Sequence, residues 1–377
     1  MSYWIGVISI LFVSIIIVFW LLLKSRNMQI WITPYILRSK TTSKNAEIKS
    51  VYVCLADHYE PYFGNATQDQ ARGLVDNWVR QYRDIAGMHS DSNGRSPQHS
   101  YFYPIEEYDE YVINELAKLK REGLGDIDIH LHHDDDTAEN LAKTLVDFKQ
   151  LLFDKHGLLR KDDKGNVVYG FIHGNWALDN SRPDGRWCGV NNEIDILLKT
   201  GCVYDMTMPS APSNTQTSTI NSIYWAKDDG YAKSHNTGVM SKVGEWNSND
   251  LLMIQGPLML NWQSRKFGLI PRIESGELSV DSPPSKKRIS LWEKAAVTVE
   301  GAENRIFIKI HTHGLQVENT EMFFDKNGFK TLWSCLEEQF KERPGYSLHY
   351  VTAWEMYQKI AETIKHTPTA NNKSADE

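Results

Sequence analysis

At 377 residues the chain is long enough for one large domain or two ordinary ones, so core size does not limit it. Its formal charge is −7, and the first fifty residues hold Lys24, Arg26, Arg38, Lys40, Lys44 and Lys49 against Glu47 alone, which leaves about −12 on the remainder. So acidic a body excludes nucleic acid as a partner, because its phosphates would be repelled.

In chain order, residues 4–23 (WIGVISILFVSIIIVFWLLL) come first. About 20 apolar residues are what a helix needs to cross a hydrocarbon core, and Trp4 and Trp20 sit where interfacial anchors often lie. A basic n-region and a small-residue cleavage site are both missing, so residues 1–26 read as an uncleaved single-pass transmembrane anchor. The basic residues that follow place the bulk of the chain on the cytoplasmic side by the positive-inside rule, and they suit anionic lipid head groups. Four cysteines (Cys54, Cys188, Cys202, Cys335) without paired spacing fit a reducing compartment.

Residues 27–49 are polar and read as a tether. Strands are then predicted at 51–55, 100–104, 127–131, 167–172, 203–206, around Pro257, at 305–310 and at 347–351. Helices are predicted at 69–85, 108–122, 137–155, 193–200, 292–299, 323–341 and 353–365. This alternation predicts a parallel α/β sheet, open or closed into a barrel, over residues 50–366. Residues 367–377 read as a disordered tail.

The reactive side chains gather where these strands end. The run Ile127-Asp128-Ile129-His130-Leu131-His132-His133-Asp134-Asp135-Asp136 crowds imidazoles and carboxylates that would repel one another without a cation. Period-two alternation puts His130 and His132 on one face. Asp57 and His58 follow the first strand; His173, Asn175, Trp176 and Asp179 follow the fourth; Asp205 ends the next; His311 and His313 end 305–310. In parallel α/β folds ligands bind beyond the carboxyl ends of the strands, so one shared polar site is the economical reading. Asp57 or His58, with His130 and His132 or Asp134, would supply ligands for zinc or a similar divalent ion. His311 or His313 would move a proton, and the loop tryptophans could stack on sugar rings.

The order of the motifs ADHYEP, IHLHHDDD, FIHGNWALDN, VYDMTMPSAP and IKIHTHG over residues 50–315 resembles the polysaccharide deacetylase family, carbohydrate esterase family 4. The resemblance implies a distorted (β/α) barrel of about seven parallel strands and a metal-dependent hydrolase that removes acyl groups from a polysaccharide or its precursor. It further implies Asp57, His130 and either His132 or Asp134 as metal ligands, and His311 or His313 as the acid. His173, Asn175, Trp176, Asp179 and Asp205 would contact the carbohydrate, with proteins of polysaccharide biosynthesis as partners. The family's paired aspartates stand here as Ala56-Asp57-His58, and the residue four after His130 is Asp134 where the family has histidine. A metal-independent glycoside hydrolase on the same barrel, or a non-catalytic glycan-binding scaffold, are the alternatives.

Overall fold

The computed structural model describes residues 2–38 and 48–366; the tail at 367–377 and the middle of the tether lie outside the described residues. In chain order the larger elements are α1 (Ser2–Lys24), α2 (Ile32–Leu37), β1 (Lys49–His58), α3 (Gln68–Ala86), β2 (His99–Pro104), α4 (Glu110–Arg121), β3 (Gly125–Leu131) and α5 (Ala138–His156). Then come β4 (Arg160–Lys161), β5 (Val167–His173), α6 (Glu193–Thr200), β6 (Cys202–Asp205), β7 (Ile223–Ala226), β8 (Val239–Met240), β9 (Leu251–Ile254), β10 (Met259–Lys266) and β11 (Ile270–Glu274). The chain closes with β12 (Glu277–Leu278), α7 (Lys286–Ala295), β13 (Arg305–Thr312), α8 (Val317–Phe324), α9 (Gly328–Leu336), β14 (Tyr346–Tyr350) and α10 (Ala353–Lys365).

The fold is α/β around a mostly parallel sheet. Strands β12, β13, β1, β2, β3, β5, β6 and β9 lie side by side and parallel, and β7 and β8 extend the sheet antiparallel. β14 shares an edge of β1 with β2: it pairs with Lys49–Val53 while β2 pairs with Leu55–His58. Among the described residues no ladder joins β9 to β13, yet the two ends of the sheet meet. Lys309 Nζ donates to the Met206 carbonyl at 2.8 Å, and a Cβ on Gly256 would lie 2.5 Å from the Lys309 carbonyl oxygen.

Alternation along the strands builds two cores. Val51, Val53, Leu55, Ile127, Ile129, Tyr169, Phe171, Ile306 and Ile308 face the helices, where Val75, Trp78, Leu116 and Leu145 cover them. Tyr52, Cys54, Ala56, Phe102, Ile172, Tyr204 and Phe307 face the interior. Within that interior Arg160 Nη2 spans both oxygens of Asp128 at 2.7 and 2.6 Å. Gly170 leaves room there for the Tyr204 ring, which a Cβ would approach to 2.2 Å. Helix starts follow their capping residues: Thr67 with Gln70 and Thr352 with Glu355 form capping boxes, and Thr137 caps α5.

One expectation is overturned. A membrane span needs about 20 consecutive apolar residues to match a hydrocarbon core about 30 Å thick. Among the described residues no helix is long and apolar enough to cross a membrane, so the anchor predicted at 4–23 is corrected, and the cytoplasmic topology drawn from its flanking charges loses its basis. The chain after α1 is also not all tether. Trp31 is fully buried with Met28 against Ala211, Ile220, Leu258 and Leu260, and Asn27 Nδ2 donates to the Pro212 carbonyl at 2.9 Å.

Candidate metal centre

The same alternation decides which strand-end groups can meet. His58 continues the inward row of β1 after Tyr52, Cys54 and Ala56, whereas Asp57 continues the row of Val53 and Leu55 toward the helices. On β3, Ile127, Ile129 and Leu131 face the helices and His130 and His132 turn inward. His311 and His313 continue the inward row of Phe307.

Glu60 stands among these rings. Its Oε1 lies 3.3 Å from His130 Nε2, 3.5 Å from His132 Nε2 and 3.9 Å from His313 Nε2. The His58 ring packs 4.8 Å from that of His130 and 4.6 Å from that of His313, centroid to centroid. Two overlapping groups, His58–Glu60–His313 and Glu60–His130–His132, each bring their ligand atoms within 4.8 Å of one another.

Hydrogen bonds fix how two of the rings present themselves. His130 Nδ1 donates to the Ile172 carbonyl at 2.8 Å, and His132 Nδ1 donates to Glu106 Oε1. With that proton committed, the neutral His130 ring turns its Nε2 lone pair toward a Glu60 oxygen that is itself an acceptor. A divalent cation resolves this conflict, and a carbonyl or carboxylate behind each imidazole is how ligating histidines are oriented. The donor set, imidazole nitrogens with a carboxylate, fits zinc or a similar ion.

The electrostatics set His132 apart from the other rings. Burial, and then the neighbouring His132, hold His130 down to about 3, so its ring is neutral. Burial also keeps His58 and His313 below the ordinary histidine range, with neighbouring histidines adding to the effect. At His132 burial opposes protonation, but the hydrogen bond and charge of Glu106 outweigh it and raise the group. Glu60 is raised by burial, against the pull of His313 and His132. Beside the cluster opens a cavity of about 330 Å³ lined by Tyr62, Phe63, Glu107, Asn175, Trp176 and Gln316. Burial, reinforced by Glu60 and Glu106, pushes Glu107 up to about 7 although the Tyr62 N–H holds it down.

The remaining expected residues divide between the cavity and other places in the fold. Asp57 is buried on the helical side, where its Oδ2 lies 2.8 Å from His99 Nε2 and its Oδ1 accepts the Gly314 N–H at 2.7 Å. Asp134 is exposed and accepts the Trp187 N–H at 2.6 Å. Asn175 and Trp176 reach the cavity; His173 and Asp179 lie outward, beside Glu193. Asp205 bonds Thr207. His311 is buried with Nδ1 free of hydrogen bonds among the described residues, and its ring lies 6.2 Å from that of His58. Glu60, Glu106 and Glu107 escape the sequence reading. Glu60 shares the parity of His58 two residues on, and the glutamates follow the end of β2, so strand-end position was the available signal.

No protein-family model and no curated protein matches the chain. Among solved structures it is similar to a 4-α-glucanotransferase from Thermococcus litoralis, 11% identical over 83% of this chain and 40% of that one, with a TM-score of 0.42. This chain therefore spans less than half the length of that structure.

Proposed function

We propose that the chain is a metal-dependent hydrolase that removes acyl groups from a sugar of a polysaccharide or its precursor. The observation that carries the reading is the convergence of His58, His130, His132 and His313 on Glu60, with the Nδ1 atoms of His130 and His132 already committed. A divalent ion held there would lower the pKa of a bound water and polarise the acyl oxygen. Glu106 and the Ile172 carbonyl orient the two β3 imidazoles. Trp176, with Tyr62 and Phe63, offers aromatic faces on which a sugar ring stacks, in a cavity large enough for a monosaccharide unit.

The proton donor is better placed on Glu107 than on His311 or His313. Burial depresses both histidines, so neither is a ready imidazolium near neutral pH, whereas Glu107 keeps a proton up to about pH 7 at the cavity wall. Acetate release from acetylated oligosaccharides by the full chain tests the reading: it should stop on chelation, return with zinc or another divalent ion, and be lost in His130→Ala. The pair Glu60 and Glu107 in one cavity favours a second reading, a glycoside hydrolase working with two carboxylates. Glycosidic cleavage that survives chelation would select it.

A further inference from the structure

Four further metal-type side chains meet on the other face of the sheet. His133 continues the outward row Ile127, Ile129, Leu131 of β3, and His173 the outward row Tyr169, Phe171 of β5, so alternation separates them from His130 and His132. Their Nε2 atoms stand 2.9 Å apart. His133 Nδ1 bonds Asp136 Oδ2 at 3.0 Å and His173 Nδ1 donates to the Gly174 carbonyl, so in their neutral forms the two rings set one Nε2 lone pair against the other. Glu193 Oε1 lies 3.4 Å from His133 Nε2, Glu193 Oε2 lies 3.5 Å from His173 Nε2, and Cys188 Sγ lies 3.4 Å from Glu193 Oε2. The four ligand atoms all fall within 4.8 Å of one another.

The site is closed and built. Glu193 is 0% exposed and its Oε1 accepts no hydrogen bond among the described residues. Behind the ligands, the Asp179 N–H donates to Glu193 Oε2 at 2.6 Å and the Asn180 N–H to Cys188 Sγ at 3.3 Å, the kind of support that positions metal ligands.

We infer that His133, His173, Cys188 and Glu193 bind a zinc-class divalent cation that fastens the 174–192 segment to the ends of β3 and β5. Two imidazoles, a thiolate and a carboxylate make a complete tetrahedral set with no position left for water, which suits a structural ion. The segment has need of a fastening: Asn175, Trp176, Asp179, Asn180 and Trp187 all hold positive φ, a region side chains seldom adopt. The same segment carries Asn175 and Trp176 into the mouth cavity, so the ion would hold one wall of the pocket in place.

The sulfur donor separates this site from the mouth, which has none. The full chain, stripped and reloaded with cobalt(II), should show a near-ultraviolet thiolate-to-cobalt charge-transfer band that persists in His58→Ala and vanishes in Cys188→Ser. Cobalt bound by the wild-type chain without that band, or a band that survives in Cys188→Ser, would overturn the inference. Should Cys188→Ser fail to fold, X-ray absorption of the zinc-loaded wild-type chain decides. A sulfur scatterer at about 2.3 Å supports the site, and a shell of nitrogen and oxygen alone rejects it.

Discussion

Asp57 and His58 are neighbours in sequence, yet they serve different faces of the sheet. A strand side chain changes face with every residue, so choosing between these two is a choice between the helical layer and the interior. Alternation placed His130 and His132 on one face, while His58, His313 and Asp57 entered only as strand-end residues, Asp57 also through the family resemblance; parity is what separates Asp57 from the rest. Its hydrogen bonds to His99 and Gly314 make it a structural group. Asp57→Ala should therefore cost about 2 kcal/mol or more in denaturant unfolding, as loss of buried charge-assisted bonds does, while the folded variant keeps its full metal content. Metal loss without destabilisation would return Asp57 to the ligand set. Glu107 belongs to the same scale. Its carboxyl is pushed up to about 7, so it loses its proton as pH rises through that value. As the acid, it makes kcat/KM fall above about pH 7, and Glu107→Gln should be slow throughout and lack that limb.

Among the elements, the strands were read more faithfully than the helices near the carboxyl end. The predicted helix at 323–341 takes in only the last two residues of α8 before Asn327, whose φ of 60° breaks the helical path, then α9 and a π-helical turn at Glu337–Lys341, and the predicted strand around Pro257 is two strands on either side of it. Apolar periodicity continued across both breaks, so it could not reveal them. The second cluster was only half legible, because Cys188 lies in a loop and Glu193 at a helix start, with no metal-type spacing to His133 or His173. Where β5 ends, Gly174 packs against the end of β3: a Cβ there would lie 2.3 Å from His132 Cδ2 and 2.7 Å from the Leu131 carbonyl oxygen. Gly174→Ala should displace the His132 ring and weaken metal binding at the mouth about 10- to 100-fold, the usual effect of disturbing a ligand's support, in competition with a chelator. Unchanged affinity would mean that His132 is not a ligand.

At the scale of the whole molecule, the parallel α/β architecture follows from alternating strand and helix patterns, but the seam where the sheet ends meet does not. Lys309 lies there, 1% exposed, and burial lowers its ammonium to about 8 despite nearby Asp205. Above about pH 8 and below the ordinary lysine pKa the unfolded chain binds more protons than the folded one, so stability should rise with pH across that window, by up to about 1.4 kcal/mol per pH unit. Lys309→Met should remove that slope in denaturant unfolding at pH 8 and pH 10; a slope that remains assigns it to other groups. The run at 4–23 shows the opposite limit, in which length, apolar content and the tryptophans at its ends suggested a span that the described helices do not supply. Metal content per chain decides whether a cation sits around Glu60. Glu60→Ala, purified folded, should carry one divalent ion fewer per chain than the wild type; equal metal content in the two would rule the ion out.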